Sequence, residues 1–189
     1  MSSTGLLGGT FNPPHNGHVL LAETARKRFE LDSLRVHVST DPPHKRVDVP
    51  VETRLELARL AFLDEIVVRD DHPYSIDTVV GFGEDAIFLV GADQFAQFLT
   101  WREPDEILEH VRLGVATRPG YPRERLDAVL RELRRPERVE LFDMEPVPIS
   151  SSDIRTRAAE GVSVRDLVPQ SVADEIERRG LYRRRAGVS

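Results

Sequence analysis

The sequence contains no cysteine among its 189 residues. This absence excludes disulfides, thiolate zinc sites and cysteine nucleophiles, and it favours a cytoplasmic protein. The chain also lacks a secretory signal peptide and an apolar run of membrane-spanning length, so we expect no membrane partner. A basic surplus is missing too: the net charge is −6, which argues against a nucleic-acid partner.

Two nucleotide-binding motifs are absent as well. The chain has no G-x-G-x-x-G and no G-x-x-x-x-G-K-[ST], so a bound dinucleotide cofactor and a P-loop mechanism are disfavoured. It also lacks a K-M-S-K-S-type loop, which argues against a fragment of a tRNA synthetase. With 40% hydrophobic residues, its size suits one compact domain over residues 1–189, with a C-terminal helical portion from about residue 151.

Short apolar stretches alternate with amphipathic ones along the chain. The expected strands are 5–9, 34–39, 66–68, 86–90, 113–117 and 139–142. The expected helices are 16–30, 51–63, 75–81 with Ser75 as a plausible cap, 104–110, 123–135, and helical pieces from 151 onward. This alternation predicts βαβ units and a parallel sheet. Ligands then bind beyond the carboxyl ends of the strands, where the informative loops after the first, second, fourth and fifth strands would meet.

Residues 8–18 (GGTFNPPHNGH) are the most informative stretch. A glycine turn follows a strand, and His15 and His18 stand one helical turn apart at the start of a helix. Backbone N–H groups at a helix start attract anions, so this pattern indicates polyphosphate chemistry. A tight turn and helix capping are the simpler interpretations. Two histidines supply too few ligands for zinc, so we predict no metal site formed by the protein.

Two further segments offer groups that could hold phosphates. The loop Pro42-Pro43-His44-Lys45 presents a cation on a stiff backbone, although alone it would be a solvated turn. Residues 149–155 (ISSSDIR) place serine hydroxyls, free helix N–H groups and Arg155 at a helix start. Plain helix capping is a serious alternative for these serines.

Trp101 is the single tryptophan of the chain. Packing in the core is the commoner fate of tryptophan. A functional alternative is a platform on which an aromatic ring stacks.

The combination of these segments resembles the nucleotidyltransferase superfamily with the histidine-x-glycine-histidine signature. Within it, the chain is similar to the bacterial nicotinate mononucleotide adenylyltransferases. The segments that carry this resemblance are residues 8–18, 42–45, 91–95, Trp101, 118–121, 149–155 and 179–182. It implies an α/β, Rossmann-like, doubly wound parallel sheet with helices on both faces, in a single domain. It also implies transfer of an adenylyl group from ATP to nicotinate mononucleotide with Mg²⁺, which the ATP phosphates mainly carry.

The resemblance also implies roles for individual residues. Catalytic roles fall to His15, His18, Lys45 and Arg155. The expected ATP-binding residues are Gly8, Gly9, Thr10, Phe11, Gly91, Asp93, Ser150 and Ser151. The expected mononucleotide-binding residues are His44, Lys45, Ser75 and Trp101.

Several alternatives stay open. The chain departs from many members at Ser39 to Asp41, near the expected ribose contacts, and at Arg102, where some members have tyrosine. A sibling transferase with another phosphate acceptor, or one that uses nicotinamide mononucleotide, is the nearest alternative. A module that senses nucleotides without turnover is a further alternative. A homo-oligomer is possible.

Overall fold

A single sheet of six parallel strands forms the centre of the molecule. The structure is a computed structural model that describes residues 3–42 and 47–183. The strands are β1 (Thr4–Gly9), β2 (Ser33–Ser39), β3 (Ile66–Asp70), β4 (Ile87–Gly91), β5 (Arg112–Thr117) and β6 (Val139–Asp143). Each lies where the sequence predicts a strand, with ends that differ by one or two residues.

The strand order is β3-β2-β1-β4-β5-β6. All five pairings are parallel, and β1 pairs with β2 on one side and with β4 on the other. The chain therefore adds strands outward from β1 in one direction, then returns to β1 and continues in the other. This reversal creates a crevice at the carboxyl ends of β1 and β4, where doubly wound sheets bind ligands.

Within residues 3–42 and 47–183, eight α-helices connect and flank these strands. They are α1 (Asn16–Arg28), α2 (Val51–Ala61), α3 (Ser75–Val79), α4 (Ala92–Phe95), α5 (Pro104–His110), α6 (Arg123–Glu132), α7 (Ser151–Ala159) and α8 (Gln170–Arg179). Among the residues that the structure describes, no helix is both long and apolar enough to cross a membrane.

Two separate hydrophobic cores cover the two faces of the sheet. Successive residues of a strand point to opposite faces, so Leu7 enters one core and Leu6 the other. Buried residues of α1, α2, α7 and α8 pack in the first core, and those of α3, α4, α5 and α6 pack in the second. The prediction of a doubly wound α/β fold with helices on both faces is confirmed.

Some predicted details are wrong at the helix ends. Helix α3 ends at Val79 rather than at 81, because Gly81 and Gly83 adopt φ values of +95° and +90°, outside the helical region. Ser75 is the first residue of α3 rather than its cap, since Tyr74 occupies the N-cap position. Helix α4 and the 3₁₀ turn Phe98–Thr100 were not predicted from the sequence, and both are very short.

Candidate active site

The glycine turn after β1 forms the centre of the carboxyl edge. Phe11 follows it with a φ of +48° and buries its ring against His18 and Phe62, at centroid distances of 5.1 and 5.6 Å. A Cβ atom on Gly9 would lie 2.9 Å from the Phe11 ring, so only glycine lets the loop fold back so closely. Packing explains Gly9, and the predicted ATP contacts of Gly8, Gly9, Thr10 and Phe11 stay predictions.

His15 and His18 lie at the start of α1, as predicted. His15 is the N-cap residue, and its backbone N–H donates to Nδ1 of His18 over 3.2 Å. Because Nδ1 accepts this bond, the ring proton of neutral His18 lies on Nε2. The two rings stack with centroids 3.7 Å apart. The pair is therefore held in one fixed arrangement.

The two histidines differ in their surroundings. His15 is only 8% exposed, and its Nδ1 has no hydrogen-bond partner among the described residues. Burial lowers the pKa of His15 to about 4. His15 is consequently neutral at pH 7 and offers one N–H donor rather than a positive charge.

Helix α7 begins against the loop that precedes α1. Ser151 donates its hydroxyl proton to the carbonyl of Pro13 over 2.8 Å, and Arg155 donates to the carbonyl of Asn12 over 2.8 Å. Ser150 caps the helix, since its hydroxyl oxygen accepts from the backbone N–H of Asp153 over 3.1 Å. The structure thus brings the two predicted phosphate-binding segments together. Ser150 also caps α7, which was the alternative interpretation of these serines.

A buried arginine that the sequence analysis missed links the loops after β1 and β2. Arg54 in α2 is 1% exposed. Its guanidinium donates to the carbonyls of Thr10, Ser39 and Thr40 over 2.8, 2.6 and 2.9 Å. A fourth bond reaches the carbonyl of Val49 over 3.2 Å. One side chain therefore fixes the backbone of the loops after β1 and β2.

A cavity of 680 Å³ opens at the carboxyl ends of β1, β2 and β4. Its walls combine the glycine turn with residues from α3, α4 and the segment after the 3₁₀ turn. Among the predicted site residues, those that line it are Gly8, Gly9, Thr10, Ser75 and Trp101. Predicted residues from two separate parts of the chain therefore line one cavity, and their binding roles stay predictions.

Trp101 packs against other aromatic rings and also lines the cavity. It is partly buried and meets the rings of Phe98 and Phe88 edge-on, with centroids 5.3 and 6.2 Å away. It also lines the cavity beside Tyr74 and Ser75. Packing holds the indole in place while part of its surface stays accessible to a ligand.

Other predicted residues lie outside the cavity wall. His15, His18 and Arg155 flank it at the neighbouring starts of α1 and α7 rather than line it. Gly91 ends β4 and Asp93 lies in α4, next to the lining residue Gln94. His44 and Lys45 lie outside the described residues, so their predicted contacts with the mononucleotide phosphate stay predictions.

A second missed group is a buried carboxylate at the end of β3. Asp70 is 8% exposed and accepts hydrogen bonds from the Thr78 hydroxyl over 2.8 Å and from the His72 backbone N–H over 3.1 Å. Burial alone would raise the pKa of Asp70, but the hydrogen bonds from His37, Thr78 and His72 outweigh it and hold the pKa at about 2. The cavity wall therefore carries a fixed negative charge.

The sequence is similar to that of known proteins along nearly its whole length. Residues 6–157 match the cytidylyltransferase-like family. A Desulfitobacterium hafniense protein named "Probable nicotinate-nucleotide adenylyltransferase" is 37% identical over an alignment of 199 positions, which covers 95% of each chain. A Thermus thermophilus protein with the same name is 37% identical over an alignment of 192 positions, which covers 95% of this chain and 98% of the relative.

The chain belongs to the nicotinate-nucleotide adenylyltransferase family.

Solved structures of the family share the fold. The nicotinic acid mononucleotide adenylyltransferase of Plasmodium falciparum in complex with APC superposes with a TM-score of 0.74 at 14% identity, covering 96% of this chain and 98% of that one. The same enzyme in complex with NaAD gives a TM-score of 0.73 at 15% identity, with the same coverage. At this level of identity the likeness concerns the fold, and the architecture of this adenylyltransferase is that of its family.

Weak signals in the sequence could have found the two missed groups. Arg54 stands three, four and seven residues before Leu57, Ala58 and Ala61, which are all buried, so it interrupts the apolar face of an amphipathic helix. A buried cation on such a face needs acceptors, and here they are carbonyl oxygens. The burial of Asp70 was harder to predict, because an aspartate after Val67 and Val68 is typical of the start of a solvated loop.

Proposed function

We propose that the protein joins ATP and nicotinate mononucleotide to give nicotinate adenine dinucleotide and pyrophosphate, a step of NAD biosynthesis. The observation that carries the proposal is the cavity that runs from the glycine turn of β1 to Trp101. The end at the glycine turn, the phosphate end, suits phosphate groups. The end at Trp101, the ring end, suits a planar ring. The names of the full-length relatives support the same activity.

The reaction needs positioning more than proton transfer. A phosphate oxygen of the mononucleotide attacks the α-phosphorus of ATP, one P–O bond forms, and the bond to the β-phosphate oxygen breaks. Pyrophosphate leaves with that electron pair. The attacking oxygen is already anionic at pH 7, so no general base is required, and in-line alignment with charge stabilisation supplies the acceleration.

The start of α1 would stabilise the charge that develops on the α-phosphate. Helix α1 extends over 13 residues, and the dipole at a helix start favours an anion there. In our proposal, His18 adds a donor through Nε2–H, and neutral His15 adds its single N–H. These donors are held before the substrates bind, which is what electrostatic catalysis requires.

The start of α7 would hold the leaving phosphates. Arg155 uses two of its N–H groups on the Asn12 carbonyl and the Ser152 hydroxyl. A guanidinium has five N–H donors, so three remain for phosphate oxygens. Lys45 and His44 would approach the mononucleotide phosphate, while Gly91 and Asp93 would hold the adenosine.

Mg²⁺ enters this proposal as a companion of ATP. Within residues 3–42 and 47–183, no three histidine or carboxylate side chains are grouped so that they could hold a metal ion. An ion held by phosphate oxygens and water fits that arrangement, because Mg²⁺ keeps several waters when it binds with nucleotides. Bound in this way, it would neutralise part of the phosphate charge. A cytoplasmic location and a homo-oligomer also remain predictions.

The test is product formation with purified protein, Mg²⁺ and defined substrates. We expect pyrophosphate and nicotinate adenine dinucleotide in equal amounts from ATP and nicotinate mononucleotide. CTP in place of ATP tests the base, because the wider family is cytidylyltransferase-like. Faster turnover with nicotinamide mononucleotide would favour that acceptor instead, and binding of both substrates without turnover would favour a sensing module.

A further inference from the structure

Arg102 lies beside the residues that we propose to contact the pyridine ring. It follows Trp101 directly and lines the same cavity as Trp101, Ser75 and Tyr74. The central carbon of its guanidinium lies 4.8 Å from the centre of the Tyr74 ring. This contact holds the planar group against an aromatic face at the cavity wall.

The donors of Arg102 are not taken up by the protein. In residues 3–42 and 47–183, its side chain makes no hydrogen bond and no ion pair. Some other surface arginines are paired with carboxylates: Arg123 binds Asp127 over 2.9 Å, and Arg135 binds Glu109 over 2.6 Å. The cavity thus presents a guanidinium whose N–H groups are available to a ligand.

The negative charge of the cavity wall bears on the role of the Arg102 guanidinium. Asp70 contributes a buried carboxylate to the same wall. A second carboxylate, brought in by a substrate, would be repelled unless a cation balanced it. Arg102 is the arginine that the described part of the cavity wall provides for this purpose.

We propose that Arg102 binds the carboxylate of the pyridine ring and so makes the enzyme prefer nicotinate over nicotinamide mononucleotide. This inference rests on the proposed function. A carboxylate accepts two parallel N–H bonds from a guanidinium, with full charge on both sides. A carboxamide offers one acceptor oxygen, and its NH₂ group would direct hydrogens toward the guanidinium donors. The amide would therefore leave a donor unpaired, which is a strong basis for discrimination.

The test compares kcat/KM for the two mononucleotides at saturating ATP. Arg102→Gln removes the charge and keeps a planar polar group, and Arg102→Lys keeps the charge without the fork. Arg35→Gln is the matched control, because the Arg35 guanidinium also lies over an aromatic ring, 5.8 Å from the centre of Phe82, but does not line the cavity. Melting temperatures show that each variant is folded.

We expect Arg102→Gln to lower kcat/KM for the acid about 10- to 100-fold, the scale for losing a hydrogen bond to a charged group. The loss should lie in KM, while kcat/KM for the amide and the Arg35→Gln control stay within about 2-fold of wild type. Arg102→Lys should fall between the two.

Three outcomes would overturn the inference. The first is an unchanged acid-to-amide ratio in Arg102→Gln with normal turnover. The second is an equal loss for both substrates, which would make Arg102 a general support of the cavity. The third is absence of turnover by wild-type protein with either mononucleotide, which would overturn the proposed function as well.

Discussion

The two ends of the crevice are built differently. At the phosphate end, internal hydrogen bonds fix almost every element: Arg54 ties the loops after β1 and β2, and Ser151 and Arg155 tie α7 to the loop before α1. Tyr182 adds a further bond to Oδ1 of Asn12 over 2.9 Å. At the ring end, a cavity of 680 Å³ is open, and Arg102 has no protein acceptor within the described residues.

The difference matches the two tasks that we assign to these ends. Charge stabilisation at a phosphorus atom works best with donors that do not move during the reaction. Recognition of a ring instead needs a surface and donors that the ligand itself completes. We therefore expect changes at the phosphate end to affect kcat or folding, and changes at the ring end to affect the KM of one substrate.

Of the changes considered, we expect Arg54→Met to destabilise the phosphate end the most. It removes the donor of four backbone carbonyls, and we expect unfolding free energy to drop by about 2–4 kcal/mol, since each buried acceptor left unpaired is costly. Arg59→Met is the matched control, because Arg59 lies on the exposed side of the same helix and should change stability by less than about 0.5 kcal/mol. Urea unfolding measures both. Equal losses would show that Arg54 has no special bracing role.

His18→Ala tests the catalytic part of the phosphate end. We expect kcat to fall about 100-fold or more, because one preorganised donor is lost, while the KM for the mononucleotide changes little. Steady-state kinetics with circular dichroism as a folding control measures this. Turnover within a few-fold of wild type in a folded variant would contradict the assignment.

The buried imidazole of His15 predicts a specific pH dependence of stability. Its pKa is lowered by burial from 6.5 to about 4. Between these values the unfolded chain binds a proton that the folded protein does not, so stability falls as the pH drops from 6.5 toward 4. Between pH 7 and pH 5, the loss due to His15 should be about 2 kcal/mol.

His15→Gln isolates this contribution, because glutamine cannot take up a proton. Urea unfolding of wild type and variant at pH 7 and pH 5 gives the two slopes. We expect the variant to lose less stability than wild type on acidification. Identical losses would mean that His15 titrates normally in the folded protein.

Trp101→Ala is the mildest change and affects the ring end. Loss of a stacked aromatic contact should raise the KM for nicotinate mononucleotide about 2- to 10-fold and leave the KM for ATP nearly unchanged. Two-substrate kinetics separates the two constants. A similar increase in both KM values would assign Trp101 to packing against Phe98 and Phe88.

The sequence predicted the phosphate end better than the ring end, for a physical reason. Residues 8–18 are contiguous, and strand, turn and helix start leave a local pattern, so the places of His15 and His18 followed from spacing. The parallel sheet with helices between its strands also followed from the alternation of short apolar runs and amphipathic segments. The ring end combines residues from α3, the segment after α4 and the end of β3, and no local pattern connects them.

Buried polar groups account for most of what was missed. Arg54 and Asp70 act on partners far away in sequence, such as the Thr10 carbonyl, 44 residues from Arg54. Propensity and periodicity describe neighbours within one element and cannot report such partners. The short helix α4 and the incorrect end of α3 have a different cause, because segments of four or five residues depend on tertiary contacts and on glycine positions.

Fluorescence of Trp101 tests the central claim most directly, namely that the open end of the crevice receives the pyridine ring. The chain has no other tryptophan, so the emission reports on this place alone. Nicotinate mononucleotide is titrated into the protein in the presence of a saturating, non-hydrolysable ATP analogue. Our account predicts a saturable change in emission beyond the effect of the analogue. No change at concentrations that saturate turnover would contradict it.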